Sequence, residues 1–309
     1  MSPFFSDTSD ESLARERITG CDKGNNQRPL CGKTVTGDSK SFATSNSGPV
    51  KLATWNVNSI RSRLPLILQF CDEVEPTVLC MQETKCADGQ FPVEPFTERG
   101  YSVATHGRRG GRGGVAIASK AEMTDIAYGF GGNPTPPFNE PRLLAVTVGE
   151  LRIATLYAPN GKRVRTPEYE LKLAWFELLA VQLSLELEEF PRLAVAGDFN
   201  VCPAPIDVYD YNKKRNANLV SRPEQAAVAR LLDTGFIDVA RTLHPEDPGF
   251  SWYAYSYDRF AKGLGYRLDL VLASNGLASE FTSCRSLTDW RKPELSPSDH
   301  TPVLATMAD

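Results

Sequence analysis

Ser298-Asp299-His300-Thr301-Pro302 opens the last apolar run of the chain, residues 302–306. Four earlier clusters have the same make-up: Trp55-Asn56-Val57-Asn58, Gln82-Glu83-Thr84-Lys85, Gly197-Asp198-Phe199-Asn200 and Arg267-Leu268-Asp269. Each adjoins an end of a short, strand-like apolar stretch. Taken alone, Gly-Asp-Phe-Asn is usually a turn, because these residue types favour turns. Asp299-His300 alone is commonly a surface pair. Five strand ends that each deliver Asn, Asp, Glu or His describe one site gathered from the whole length of the chain.

Further apolar runs place strands over residues 50–55, 77–81, 101–105, 115–119, 143–148, 151–156, 193–196, 268–273 and 302–306. The runs 143–148 and 151–156 flank Gly149-Glu150, a two-residue turn signal, and read as a hairpin. The clearest helix covers residues 166–189. Thr166 suits its N-cap, and Pro167 suits the first helical position, where no amide donor is needed. Leu173, Phe176, Ala180, Leu183 and Leu187 recur at three- and four-residue steps, as one buried face requires. A second helix starts at Ser221-Arg222-Pro223-Glu224, with capping-box spacing, and ends before Gly235. Strands and helices mix without strict βαβ alternation, which points to a single α/β domain over residues 50–309. Residues 1–49 are rich in Ser, Thr, Asp, Asn, Gly and Lys and read as a disordered tail.

With 309 residues, 41% of them hydrophobic, the chain is long enough for a sizeable core. Its net charge of -4 argues against non-specific coating of nucleic acid, and leaves local basic patches possible. No apolar run is long enough to span a bilayer, and the start lacks the pattern of a secretory signal. Seven scattered cysteines without a CxxC spacing suit neither zinc nor a disulfide framework. A reducing, cytoplasmic, nucleoid-associated address is the simplest expectation; a nuclear or organellar one remains open.

Hard oxygen ligands plus a single histidine suit a magnesium-dependent attack on a phosphate ester. Such a reaction needs a metal to neutralise phosphate oxygens, an activated water, donors for the developing charge and help for the departing oxygen. Asn56 and Glu83 offer oxygens for the metal. Asp198 can act as base, and Asn200 can donate to the phosphate. Asp269 can hold the ring of His300 in one tautomer. Tyr157 offers a phenol near the leaving group. Trp55 reads as core; taken alone, Tyr157 also suits a strand cap, and a residue like Trp252 is more often core than site.

These motifs, together with Gly113-Gly114-Val115-Ala116, Tyr157-Ala158-Pro159-Asn160, Phe250-Ser251-Trp252 and Tyr266–Ser274, come in one order over residues 51–307. In that order the chain resembles the exonuclease III family of abasic-site DNA endonucleases, within the endonuclease/exonuclease/phosphatase superfamily. The resemblance implies a four-layered α/β sandwich, two mixed sheets face to face with helices outside. It implies a metal site of Mg2+, with Mn2+ a possible substitute, drawn from Asn56, Glu83, Asp198, Asn200, Asp299 and His300. It gives catalytic roles to Tyr157, Asp198, Asn200, Asp269 and His300. It gives DNA contacts to Asn160, Arg163, Trp252 and Leu268, the last two lining a pocket for the flipped-out abasic sugar. Extruding that nucleotide is cheap, since no base is left to unstack. Asn58 stands where relatives also carry an acid.

The implied activity is cleavage of double-stranded DNA 5′ to an abasic site, leaving a 3′-hydroxyl, by a monomer with no membrane role. Exonuclease (3′→5′) and 3′-phosphodiesterase or phosphatase activities on blocked ends accompany it. The rivals are a superfamily phosphoesterase acting on RNA, lipid headgroups or inositol phosphates, and a non-catalytic nucleic-acid-binding regulator. DNA anchoring must come from local clusters: Arg108-Arg109-Gly110-Gly111-Arg112, Lys162-Arg163-Val164-Arg165, Lys213-Lys214-Arg215 and Arg291-Lys292, all expected in loops.

Overall fold

The apolar runs become strands of two six-stranded sheets in a computed structural model, which describes residues 49–131, 135, 137–256, 258–292 and 296–308. The tail expected over residues 1–49 lies outside the described residues save Pro49. In chain order the strands are β1 Lys51–Asn56, β2 Val78–Gln82, β3 Ser102–His106, β4 Val115–Ser119, β5 Met123–Tyr128 and β6 Leu143–Val148. They continue as β7 Leu151–Tyr157, β8 Leu193–Asp198, β9 Phe236–Asp238, β10 Asp269–Ser274, β11 Phe281–Ser286 and β12 Val303–Met307. The helices that matter here are α1 Ile60–Val74, α2 Pro167–Glu189 and α3 Arg222–Asp233.

One sheet runs β11-β12-β1-β2-β4-β3 and the other β5-β6-β7-β8-β10-β9. Each has one parallel pair near its centre, β1 with β2 and β7 with β8. The flanking strands β12 and β10 run antiparallel to these. Carboxyl ends of β1, β2, β7 and β8 therefore meet amino ends of β12 and β10 at one edge. That topology brings all five polar clusters together.

Packing is four-layered, as the resemblance implies. Leu52, Ile117, Val146, Ile153, Val271 and Ala305 fill the space between the sheets. Helix α1 covers the first sheet, where Trp55 packs against Phe70 and Trp290 at centroid separations of 5.4 and 6.4 Å. Helices α2 and α3 cover the second sheet over Trp175, Leu179, Val195 and Leu231. Between the sheets, Gln82 Nε2 donates to Thr54 Oγ1 at 2.9 Å and to Thr155 Oγ1 at 2.8 Å. This amide ties one sheet to the other just beneath the site.

Several strands extend into their polar clusters. Asn56 pairs with Gln82, and Asp198 pairs with both Tyr157 and Asp269. Ladder bonds, not apolarity, decide these ends, so Asn56, Tyr157, Asp198 and Asp269 sit on strands. Strands β5, β9 and β11 and helix α1 are additional to the sequence reading. All three strands are sheet edges; exposed polar residues break the apolar signature in β5 and β11, and β9 is only three residues long. In α1, Pro65 stands inside the helix and obscures the pattern.

Helix α2 corrects one expectation. Phe176 and Leu183 are buried, but Leu173, Ala180 and Leu187 only flank the covered face. Its centre includes Lys172, Gln182 and Glu186. Charged residues can occupy core positions when partners wait there. Lys172 meets Glu224, and Glu186 accepts from Arg152 at 2.8 Å. Thr166 caps by position only; its hydroxyl donates to Arg163 O. The capping box of Ser221 and Glu224 forms as expected.

The start of β10 rests on a buried ion network. Arg267, 3% exposed, donates to Asp207 Oδ1 at 2.6 Å and grips Asp238 with both terminal nitrogens at 3.1 and 2.8 Å. Arg241 also reaches Asp207 at 2.6 Å. Removing one partner of such a network leaves buried charge uncompensated. Arg267→Met should lower the unfolding free energy by about 3–5 kcal/mol in a urea titration. A loss below about 1 kcal/mol would contradict a structural role for the network.

Candidate active site

Asp198 closes β8 and is 1% exposed. Gly197 precedes it because a Cβ there would lie 2.1 Å from Leu156 O. The Asp198 carboxylate is heavily hydrogen-bonded. Its Oδ1 accepts from the backbone N–H of Asn200 at 2.8 Å. Its Oδ2 accepts from Asn56 Nδ2 at 2.9 Å and Asn200 Nδ2 at 3.3 Å. Asn56, itself fully buried at the end of β1, gives its other N–H to Glu83 Oε1 at 3.0 Å. One amide thus couples two carboxylates from different sheets.

His300 sits between two acids. Its Nδ1 lies 2.8 Å from Asp269 Oδ2, and its Nε2 lies 3.7 Å from Asp198 Oδ2. Trp55 Nε1 donates to the His300 carbonyl at 3.1 Å, and Ser298 Oγ accepts the His300 amide at 3.2 Å. Core and ring orientation are therefore linked. Burial opposes a charged imidazole, but Asp269 and Asp198 overcome it and raise the ring well above its ordinary value. Burial also raises Asp198, only partly offset by His300.

The other acids go the opposite way. Burial would raise Glu83, yet hydrogen bonds from Asn56 and Lys85 bring it below its usual range. Burial would likewise raise Asp299, but His300 and the Trp252 indole N–H lower it. Glu83 and Asp299 are thus held toward the ionised form, whereas Asp198 is shifted toward the protonated one. Diverging environments of this kind mark distinct acid and base assignments.

Around this centre, Asn160 Nδ2 donates to Asn200 Oδ1 at 3.1 Å. Asp299 accepts from Trp252 Nε1 at 2.9 Å and from Asn58 Nδ2 at 3.0 Å. Trp252 stacks on Tyr266 with a 5.4 Å centroid separation, beside buried Leu268. Tyr157, the last residue of β7, carries the Arg142 guanidinium 5.0 Å above its ring. Burial first, then the charges of Glu83 and Asp198, keep its phenol protonated. Arg163 is exposed on the loop after Asn160.

The backbone is strained here. Asn58, Glu83, Lys85 and Asn200 all adopt positive φ, between 45° and 53°. Non-glycine residues hold such conformations only where surroundings over-determine them, often at functional sites. Gly114 belongs to the same edge: a Cβ there would lie 2.3 Å from Thr84 Oγ1.

Two expectations about basic clusters change. Arg291 is 4% exposed, in a 3-10 turn, with its guanidinium 5.0 Å from the Tyr255 ring, so it serves packing rather than phosphate anchoring. Lys213 and Lys214 lie in a short helix capped by Asp210, which also pairs with Lys213 at 2.7 Å. Arg108, Arg109 and Arg112 stay in a loop, and Arg108 pairs with Glu140 at 3.1 Å.

Sequence reasoning gave no role to Lys85, although it sits in a quoted motif. Its ammonium lies 2.8 Å from Glu83 Oε2 and also contacts Asn58 Oδ1. Lys172 was equally silent; its one signal is a charge inside an apolar helical stripe.

The donor set fits a hard divalent cation. Glu83, Asp198, Asp269 and Asp299 outnumber the cations Lys85 and His300 among these contacts. All candidate ligand atoms are oxygen or imidazole nitrogen, as magnesium-like ions prefer. Ligand atoms of Asp198, Asp269 and His300 lie within 4.8 Å of one another. His300 commits Nδ1 to Asp269, so Nε2, 3.7 Å from Asp198 Oδ2, is the ring nitrogen left for the site. Glu83, whose side chain is partly exposed, and the Oδ1 of buried Asn56 are the other oxygens on offer to the ion.

The model of the endonuclease/exonuclease/phosphatase family matches residues 53–300. The chain is 31% identical to exodeoxyribonuclease III of Haemophilus influenzae over 271 residues, covering 83% of this chain and 99% of that one. The chain belongs to the exonuclease III family of abasic-site endonucleases. It is similar in structure to an AP endonuclease from Archaeoglobus fulgidus, with TM-score 0.79, 35% identity and coverage of 84% and 100%. A 3′ phosphatase from Neisseria, solved with a product DNA hairpin, gives TM-score 0.81 and 32% identity at the same coverage. As a family member, the chain is a metal-dependent hydrolase, a nuclease or phosphatase acting on DNA.

The charge state of His300 is directly measurable. Because the folded value is raised above about 6.5, the pair with Asp269 stabilises fully below that pH. Its contribution is lost as pH climbs through the raised folded value. In 15N-detected NMR of the metal-free protein, the His300 ring should titrate above pH 7, later than His106, whose value burial lowers. A His300 midpoint at or below that of His106 would contradict the assigned electrostatics.

Proposed function

We propose that this enzyme cuts the phosphodiester 5′ to an abasic site in duplex DNA and leaves a 3′-hydroxyl. In the same reading it removes 3′-blocking groups and degrades 3′ ends as minor activities, works as a monomer, and uses Mg2+ with Mn2+ as substitute. The observation that carries this is a buried, raised-pKa carboxylate, Asp198, ringed by amide donors and a charged imidazole.

Asp198 accepts the proton of the attacking water, since its ordinary acidity has been reduced toward that of a useful base. Asn56 and Asn200 fix the carboxylate so that its geometry survives the transfer. The side chain of Asn160 and the charged His300 donate to phosphate oxygens as negative charge builds on phosphorus, while Asn200, whose amide N–H groups meet Asp198 and Ala158 O, holds the Asn160 amide through its own oxygen. The water oxygen forms the new P–O bond, and the bond from phosphorus to the 3′ oxygen breaks. Tyr157, kept protonated, gives its proton to that departing oxygen in this reading. Glu83 and Asn56 would hold the divalent ion, with Asp299 as candidate for a second. Bound there, such an ion supplies charge neutralisation on the phosphate and the leaving oxygen.

Trp252, stacked on Tyr266 and backed by buried Leu268, is the apolar surface we assign to a sugar lacking its base. Arg108, Arg109, Arg112, Arg163 and Arg165 supply phosphate contacts from two exposed loops. Among the described residues no helix is long and apolar enough to cross a membrane. All five described cysteines are free and buried, in keeping with a reducing compartment. We place the protein there, beside DNA.

On an end-labelled duplex with one abasic analogue, a single magnesium-dependent cut should appear, and a polymerase should extend the product. Binding should weaken steeply as salt rises. Cleavage of RNA or a phosphorylated headgroup in preference to that duplex would move the reading to another phosphoesterase. Binding without any cleavage would move it to a regulator.

A further inference from the structure

Lys172 lies in the first third of α2 with none of its side chain exposed. Its ammonium donates to Asn200 O at 2.7 Å, to Asn160 O at 3.3 Å and to Glu224 Oε1. Both carbonyls belong to residues whose side-chain amides are linked to each other beside Asp198. Asn200 has φ 51°, a conformation that needs an external hold. Gly161 makes room for the approach: a Cβ there would lie 2.9 Å from Lys172 Cδ.

Glu224 is fixed from its own side. Its Oε1 accepts from Leu219 N at 3.0 Å, and its Oε2 from Ser221 N at 3.1 Å and Ser221 Oγ at 2.6 Å. The capping box of α3 therefore anchors the acid that anchors the lysine. An ion pair this deep gains little over a well-packed apolar pair in stability alone. What an apolar pair cannot supply is donors for the two carbonyls.

We propose that Lys172 is a positioning residue: it holds the backbone of Asn160 and Asn200 so that their linked side-chain amides and the Asn200 backbone N–H keep their places beside Asp198. The inference rests on the phosphodiesterase reading above. Lys172 touches no solvent and so makes no contact with DNA. Its loss should strike turnover rather than binding.

The test compares wild type, Lys172→Met and Lys172→Met/Glu224→Gln. The double variant removes both buried charges at similar volume and so separates stability from positioning. Turnover is expressed per folded molecule, with the folded fraction taken from circular dichroism. In the double variant the unfolding midpoint should recover toward wild type. Its kcat should stay down about 10- to 100-fold, the cost typical of losing a supporting partner, with KM within about threefold. Hydrogen exchange of the Asn200 amide, which donates to Asp198 at 2.8 Å, reads the turn without catalysis. It should speed up at least about tenfold while amides of β8 hold. Turnover per folded molecule within about threefold of wild type, or unchanged Asn200 exchange, would overturn the positioning role. A wild type that cuts no abasic duplex sinks the functional reading instead, and the exchange measurement then decides on Lys172 by itself.

Discussion

Taking a carboxylate out of water is among the most costly things a folded chain can do, and Asp198 is 1% exposed. Much of the site can be understood as the means of making that tolerable. Asn56 arrives from the first sheet with an amide N–H, and Asn200 bends back in a left-handed turn to give two more. His300 arrives from near the end of the chain and carries positive charge because Asp269 faces its other nitrogen. The penalty is not removed entirely: Asp198 keeps a raised pKa. That residue of unfavourable energy is what makes it a base.

Rigidity follows from where these groups sit. Asn56, Tyr157, Asp198 and Asp269 are terminal residues of strands, held by ladder partners on the neighbouring strand. The Gln82 amide bridges the sheets directly below, and Trp55 joins the aromatic core to the His300 carbonyl. The loops add what strands cannot, namely the positive-φ turns at Asn58, Glu83 and Asn200 that re-aim side chains into the cleft. Deep charge networks under β10 and under α2 give the floor of the site its own supports.

Much of this was legible in the sequence, for a physical reason. Buried central strands must be apolar, so an abrupt Asn, Asp or Glu at such a strand's end is conspicuous, as at Asn56, Asp198 and Asp269. The same logic explains the gaps. Edge strands β5 and β11 face solvent on one side and carry no apolar run, and β9, at three residues, is too short to make one. Lys172 and Glu224 look like surface charges until the partner helix is known, because pairing across 52 residues leaves no local mark. Arg291 misled in the opposite direction: a basic pair reads as surface, yet the aromatic rings of Tyr255 and Phe260 cover it. The order of motifs conveyed the family, whereas the backbone strain and the split in acid pKa values needed the assembled structure.

The measurement that tests the central claim most directly is single-turnover cleavage of saturating abasic duplex by Asp198→Asn, with duplex binding followed in parallel. Asparagine keeps the shape and loses the ability to take a proton. The account predicts binding within about threefold of wild type and cleavage slowed by about 10²- to 10⁴-fold, the range for loss of a positioned base. Cleavage within about tenfold of wild type, by a variant that binds and folds normally, would mean that another group activates the water.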